Sequence, residues 1–287
     1  MKGIIKFHFF FAMMLMSAIT VTAQSGSHSR KGAKSGNAYY MVCYAMELEG
    51  NMNAKDSLEA KKWYRKAEKK YLKLLNKKDR DHDGHMSWSL GHLYYETKDY
   101  PKALHYLQIS ASKGSGNASW YLGKMFRDGI GCDIDYKKAI GWLEQATEQG
   151  HIYAELELAI MYYEDKYGLQ DYSLARKHFV RLLDCAYDHI KTVAKAYLGM
   201  GFYKGYFYTS INGEDGQWVK LDEYKNAFKY LKEASEKIIY CPASAMRVLS
   251  ACYRYGKGTD IDNERAEYWL NEATKHNDDI ALKILEF

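Results

Sequence analysis

Only two prolines, Pro101 and Pro242, occur in 287 residues, so almost nothing in the chain forbids long helices. Uninterrupted β-branched runs are scarce as well, which removes the usual raw material of sheets. Charge is missing from the body. The formal +5 is carried by Lys2, Lys6, Arg30, Lys31 and Lys34, with no acid before Glu47, so the chain from Asn37 onward is neutral. That balance excludes a general nucleic-acid footprint. No Gly-x-Ser-x-Gly and no Cys/His pair with an assignable orienting acid is present, so the sequence names no nucleophile.

What is abundant is tyrosine, with 27 copies, a residue that gives rigid contact area and a polar tip. The first residues, MKGIIKFHFFFAMMLMSAITVTAQ, set two lysines before a short apolar stretch and small residues at Val21 and Ala23. They read as a signal peptide over 1–23, cut before Gln24, and imply a periplasmic or extracellular protein with no membrane span after cleavage. Residues 24–36, QSGSHSRKGAKSG, read as a flexible linker. Five cysteines, Cys43, Cys132, Cys185, Cys241 and Cys252, have no repeating spacing, and an odd number cannot all pair within one chain.

Self-similarity organises the rest, residues 37–287. In DYKKAIGWLEQA, Asp135 is followed by Ala139, Trp142 and Ala146; the frame returns as Asp56, Ala60, Trp63, Ala67 and as Asp262, Ala266, Trp269, Ala273. Looser copies start at Asp99, Asp171 and Glu223. Spacings of four, three and four put Ala, aromatic and Ala on one helical face, with the acid placed to cap the helix. In the first copy Glu59 completes a capping box with Asp56. A second frame lies upstream, Leu, a small residue, two more, then an aromatic: Leu90-Gly91-Tyr94, Leu122-Gly123-Phe126, Leu158-Ala159-Tyr162, Leu198-Gly199-Phe202 and Leu249-Ser250-Tyr253. Each unit is a helix pair that buries its apolar faces by stacking on the next.

In these frames the chain resembles the Sel1-like repeat family, a branch of the tetratricopeptide-like helical repeats, most fully over Asp128 to Gly150 and Tyr255 to Ala273. The resemblance implies an all-α solenoid of about six stacked helix-turn-helix repeats. It also implies scaffolding or recognition without choosing a partner. Some cysteine-rich relatives carry penicillin-binding or β-lactamase-like claims, which makes a cell-wall or β-lactam-directed hydrolase the alternative reading. Here Cys252 takes the core slot of Leu93, Met125 and Met161, so a buried thiol is expected instead.

Sharper motifs yield to the repeat. Asp79, Asp81 and Asp83 of DRDHDGH spell the start of a calcium loop, but its twelfth position is Leu90, the frame leucine. At most a weak calcium site over 79–84 is left. Gly-x-Gly at Gly129 and Gly256 has no preceding strand and no Walker lysine, so these glycines are expected to supply left-handed backbone. His85 and His92, two turns or about 10 Å apart on one helix, are too distant for one metal ion. Neither a metal nor a cofactor is expected. Between the helices of the fifth unit, Lys204 to Asp222 breaks the rhythm, and YFYTSI and QWVKL about NGEDG suggest a short β-hairpin.

If the first helix of each unit lines a concave side, the residues two before, two after and five after the frame leucine point into a groove. They include Trp88, His92, Tyr95, Trp120, Lys124, Arg127, Tyr163, Tyr203, Arg247 and Arg254, an aromatic and basic strip. Such a strip suits a protein or peptide of some acidic character. The competing expectation is that several of them pack between units.

Overall fold

The computed structural model describes residues 28–51, 54–76, 81, 84–207 and 216–276. They form helices joined by short turns, grouped into two compact units, Met1–Ala118 and Ser119–Phe287. The first unit holds a helix over residues 28–34 (α1), then α2 (Ala38–Gly50), α3 (Ala54–Leu75), α4 (His85–Glu96) and α5 (Tyr100–Ser112). In the second are most of α6 (Gly116–Asp128), then α7 (Tyr136–Glu148), α8 (Ile152–Tyr163), α9 (Tyr172–Leu182), α10 (Asp188–Lys204), α11 (Gly216–Ser235), α12 (Ala243–Tyr255) and α13 (Asn263–Lys275). Short 3-10 turns at Asp165–Tyr167 and Ile238–Tyr240 precede α9 and α12. The helices pair as α2/α3, α4/α5, α6/α7, α8/α9, α10/α11 and α12/α13.

One local device is repeated at the turn inside the pair. The backbone N–H of Asp99, Asp135, Asp171 and Asp262 donates to the carbonyl of the frame aromatic in the preceding helix, at 2.8–3.0 Å. The side chain of each then caps the second helix, as Asp135 does by accepting from the Lys138 N–H at 3.0 Å. Frame alanines are the points of closest approach: Ala60, Ala103, Ala139, Ala175, Ala227 and Ala266 are all fully buried. A Cβ on Gly91, Gly123 or Gly199 would meet Leu107, Leu143 or Leu231 at 2.6–2.8 Å, so the small frame residue lets a second-helix side chain lie against the first helix. In the Gly-x-Gly loops Gly129, Gly131, Gly256 and Gly258 all have φ between +64° and +78°, the left-handed backbone expected of them.

Four expectations need correction. Asp56 is not a cap, because α3 begins at Ala54; its carboxylate instead accepts from the Asn51 side chain at 2.9 Å. Glu223 likewise lies inside α11, which runs back to Gly216. The proposed hairpin fails for the same reason. Its second strand, QWVKL, is the first part of that helix, since no turn residue separates it from the helical frame that follows, while 208–215 lie outside the described residues. Finally, the linker expected over 24–36 is helical over 28–34, where Ala33 is buried and the Ser29 hydroxyl donates to Glu47 at 2.7 Å. Residues 1–27 are outside the described residues.

Candidate interaction surfaces

Within the second unit, α8 is buried on every side: each residue from Ala154 to Tyr163 is inaccessible, and α10 is nearly so. A helix buried on all sides is a core helix, and its two glutamates, Glu155 and Glu157, are held by ion pairs. The consequence for the expected groove is direct, because Trp120, Lys124, Arg127 and Tyr163 are buried too. Three of them converge on one carboxylate, Glu157 of α8. The Trp120 indole N–H donates to Glu157 Oε2 at 2.8 Å, the Arg127 guanidinium pairs with Oε1, and Lys124 lies 4.9 Å over the Trp120 ring. Arg127 also makes a bidentate pair with Asp128, at 2.6 and 2.7 Å. Burial opposes the Arg127 charge, but Glu157 and Asp128 hold its pKa above the ordinary range. For Glu157 burial pushes the pKa up, against Arg127, Lys124 and the Trp120 N–H. This is an internal lock between α6 and α8. Tyr163 sits among Tyr172, Phe179, Tyr197, Tyr206 and Phe207, and burial drives its phenol pKa upward.

The other strip residues retain surface. In the first unit Trp88 stacks on His92 with centroids 5.4 Å apart and planes within 7°, while Tyr95 packs edge-on to Tyr100; all three strip residues are half-buried. In the second unit Tyr203 and Tyr224 flank the Lys257 ammonium at 4.8 and 4.7 Å, and Arg247 and Arg254 are exposed on α12. A surface cavity of about 410 Å³ is lined by Lys232, Tyr253, Arg265, Tyr268 and Trp269 among others.

A further surface went unread in the sequence. From Trp120 in α6, past the leading ends of α8 and α10 to the turn before α12, Trp120, His151, Tyr153, His189 and Tyr240 follow one another with successive centroids 4.8–6.2 Å apart. Tyr187, 47% exposed, flanks both Tyr153 and His189. The available signal was an aromatic-x-aromatic pair, His151-Ile-Tyr153 and Tyr187-Asp-His189, at the start of two first helices. His151 also caps α8: its Nδ1 accepts the Ala154 N–H at 3.1 Å, and burial lowers its pKa to about 4.

The chemical alternatives gain no geometry. Asp81, the described member of the calcium-like segment, accepts from the Met86 and Ser87 N–H groups at 2.8 and 3.0 Å and pairs with Lys113, so it caps α4. Asp79, His82 and Asp83 lie outside the described residues. Sequence reasoning also missed one Ser-x-x-Lys spacing, Ser110 to Lys113. There the fully buried Ser110 hydroxyl donates to the Gly84 carbonyl at 2.9 Å and Lys113 turns to Asp81, so the pair is structural. All five cysteines are free, and burial pushes the Cys241 and Cys252 thiols up to about 12, away from the reactive thiolate. Among the described residues no helix is long and apolar enough to cross a membrane.

Comparison with known proteins agrees with this architecture. The fold is similar to a Sel1 repeat protein from Oxalobacter formigenes, with TM-score 0.56 and 23% identity over 81% of this chain and 88% of that one. It is also similar to c5321, a protective antigen of uropathogenic Escherichia coli with an SLR fold, with TM-score 0.59 and 19% identity over 91% of this chain and 50% of that one. A 72-residue stretch is 32% identical to the ERAD-associated E3 ubiquitin-protein ligase component HRD3 of Candida glabrata. That stretch is 25% of this chain and only 9% of HRD3, so the match spans a small part of that relative's length. The Sel1 repeat model matches residues 36–70, 88–115, 116–151, 152–184, 194–237 and 243–278, one match for each helix pair. The chain belongs to the Sel1 repeat family.

Proposed function

We propose that this protein is a non-catalytic scaffold, exported by residues 1–23 and cut before Gln24, that binds a protein or peptide in the periplasm or outside the cell. Sel1 repeats mediate protein–protein interaction, and the HRD3 relative is by name a component of a larger ligase. The observation that carries the binding reading is the partly exposed ring series from His151 to Tyr240. It offers aromatic area with hydroxyl and imidazole tips, the residue types that dominate recognition surfaces. On α12, Arg247 and Arg254 give the partner its acidic preference.

Affinity capture from the organism's own cell envelope tests this. The wild-type chain should retain a protein that Tyr153→Ala with Tyr187→Ala releases, and Arg247→Glu with Arg254→Glu should weaken retention more as salt is lowered. Helix content should be unchanged in both. Retention indifferent to all four substitutions would remove these surfaces from the binding role. The mass of the exported chain checks the cut before Gln24.

A further inference from the structure

Tyr253 departs from the pattern set by the other tyrosines of its frame. Tyr94 and Tyr162 each donate their hydroxyl to a glutamate of the preceding second helix, Glu68 of α3 and Glu144 of α7, at 2.8 Å. Glu144 lies five residues after the frame alanine Ala139; the same position in α11, five after Ala227, is Lys232. An ammonium there cannot accept the phenol proton. Tyr253 is only 4% exposed, and among the described residues its hydroxyl has no hydrogen-bond partner.

Beside Tyr253 and Lys232 is the cavity of about 410 Å³, a volume within the range of roughly 300–1,000 Å³ that small-ligand sites occupy. Cations line it from two helices. Lys232 pairs with no carboxylate among the described residues and stands 6.0 Å over the Phe228 ring. Arg265 of α13 lies 5.7 Å over Tyr253 itself and shares its charge with Asp262 at 3.2 Å. The only acid in the lining is the exposed Glu236. Tyr268, 53% exposed, and Trp269 add ring area. We propose that this cavity binds a small carboxylic acid with an aromatic body. Its carboxylate takes the role that Glu144 plays for Tyr162, accepting from the Tyr253 hydroxyl and pairing with Lys232 and Arg265, while its ring packs on Tyr268 and Trp269. The cavity shares no residue with the ring series, so the inference does not rest on the scaffold reading.

Isothermal titration of the full chain with phenylacetate is the test, with the uncharged phenylacetamide as control. The wild type should bind the acid and not the amide. Lys232→Met should weaken binding roughly tenfold, the worth of one charged hydrogen bond. Lys232→Glu, which gives α11 the glutamate that α7 has, should abolish it with helix content unchanged, and Tyr253→Phe should weaken it while keeping the ring. No heat at millimolar phenylacetate, equal binding of the amide, or a Lys232→Glu variant that binds like the wild type would overturn the proposal. So would tighter binding of an acetylated peptide ending in phenylalanine, which would assign the carboxylate to a protein terminus.

Discussion

At the scale of single residues, the buried charges of the second unit decide most. Glu157 and Arg127 are both inaccessible, so each is tolerable only because the other is there. Arg127→Ala should lower unfolding free energy by about 3–5 kcal/mol in urea titrations, because it leaves a carboxylate buried with reduced compensation. Replacing both, Arg127→Met with Glu157→Leu, should recover most of that loss; a double variant as weak as the sum of the singles would show that the two do not act as a pair. Gly258 is a second sensitive point. Its φ is +78°, and a Cβ would stand 2.1 Å from the Tyr224 carbonyl, so Gly258→Ala should detach the loop carrying Lys257 from α11 and lower Tm. The strip of aromatic and basic residues shows what a sequence conceals at this scale. Periodicity placed Trp120, Lys124 and Arg127 on one face of α6, but a helical face is blind to what covers it. The partner that draws them inward is Glu157, a residue 30 positions beyond Arg127. Its own signal was an acid, one of two with Glu155, within a helix whose other residues are apolar or aromatic.

Among elements, the caps carry the legible information. Asp99, Asp135, Asp171 and Asp262 were readable as caps because their spacing to the frame alanine is fixed, and each caps as expected. Asp56 and Glu223 have the same spacing but lie inside α3 and α11, where the preceding residues continue the helix. Frame and cap are therefore separable, and the frame is the more dependable of the two. The cap of α8 has a different chemistry. His151 must be neutral for Nδ1 to accept the Ala154 N–H, and burial depresses its pKa from 6.5 to about 4. Above the upper value neither the folded nor the unfolded chain is protonated there, and the cap contributes fully. As pH falls from there toward 4, the unfolded chain takes up a proton that the folded chain refuses, so stability is lost over that window. The loss from this group is on the order of 2 kcal/mol, after allowance for partial exposure. His151→Asn keeps a capping side chain without the titration. Urea midpoints across this range should fall less steeply for that variant than for wild type, and parallel slopes would place the titration elsewhere.

For the molecule as a whole, the repeat explains why fold and function differ in legibility. Each helix pair is defined by contacts close in sequence, so six copies of one short frame and five of another were enough to establish the architecture. The binding surface depends on what neighbouring units leave uncovered, which no frame encodes. In the second unit α8 and α10 are sealed on nearly every side, while the ring series remains reachable at their leading ends. Native-state amide exchange should therefore be slowest in α8 and α10 and faster in α13, where Tyr268 and Leu270 are exposed. The most direct measurement is hydroxyl-radical footprinting of the folded chain, reading each ring separately. Tyr187 and Tyr153 should be modified well before Trp120 and Tyr163; equal modification of all four would return Trp120 and Tyr163 to an open groove and contradict the assignment of the exposed surface.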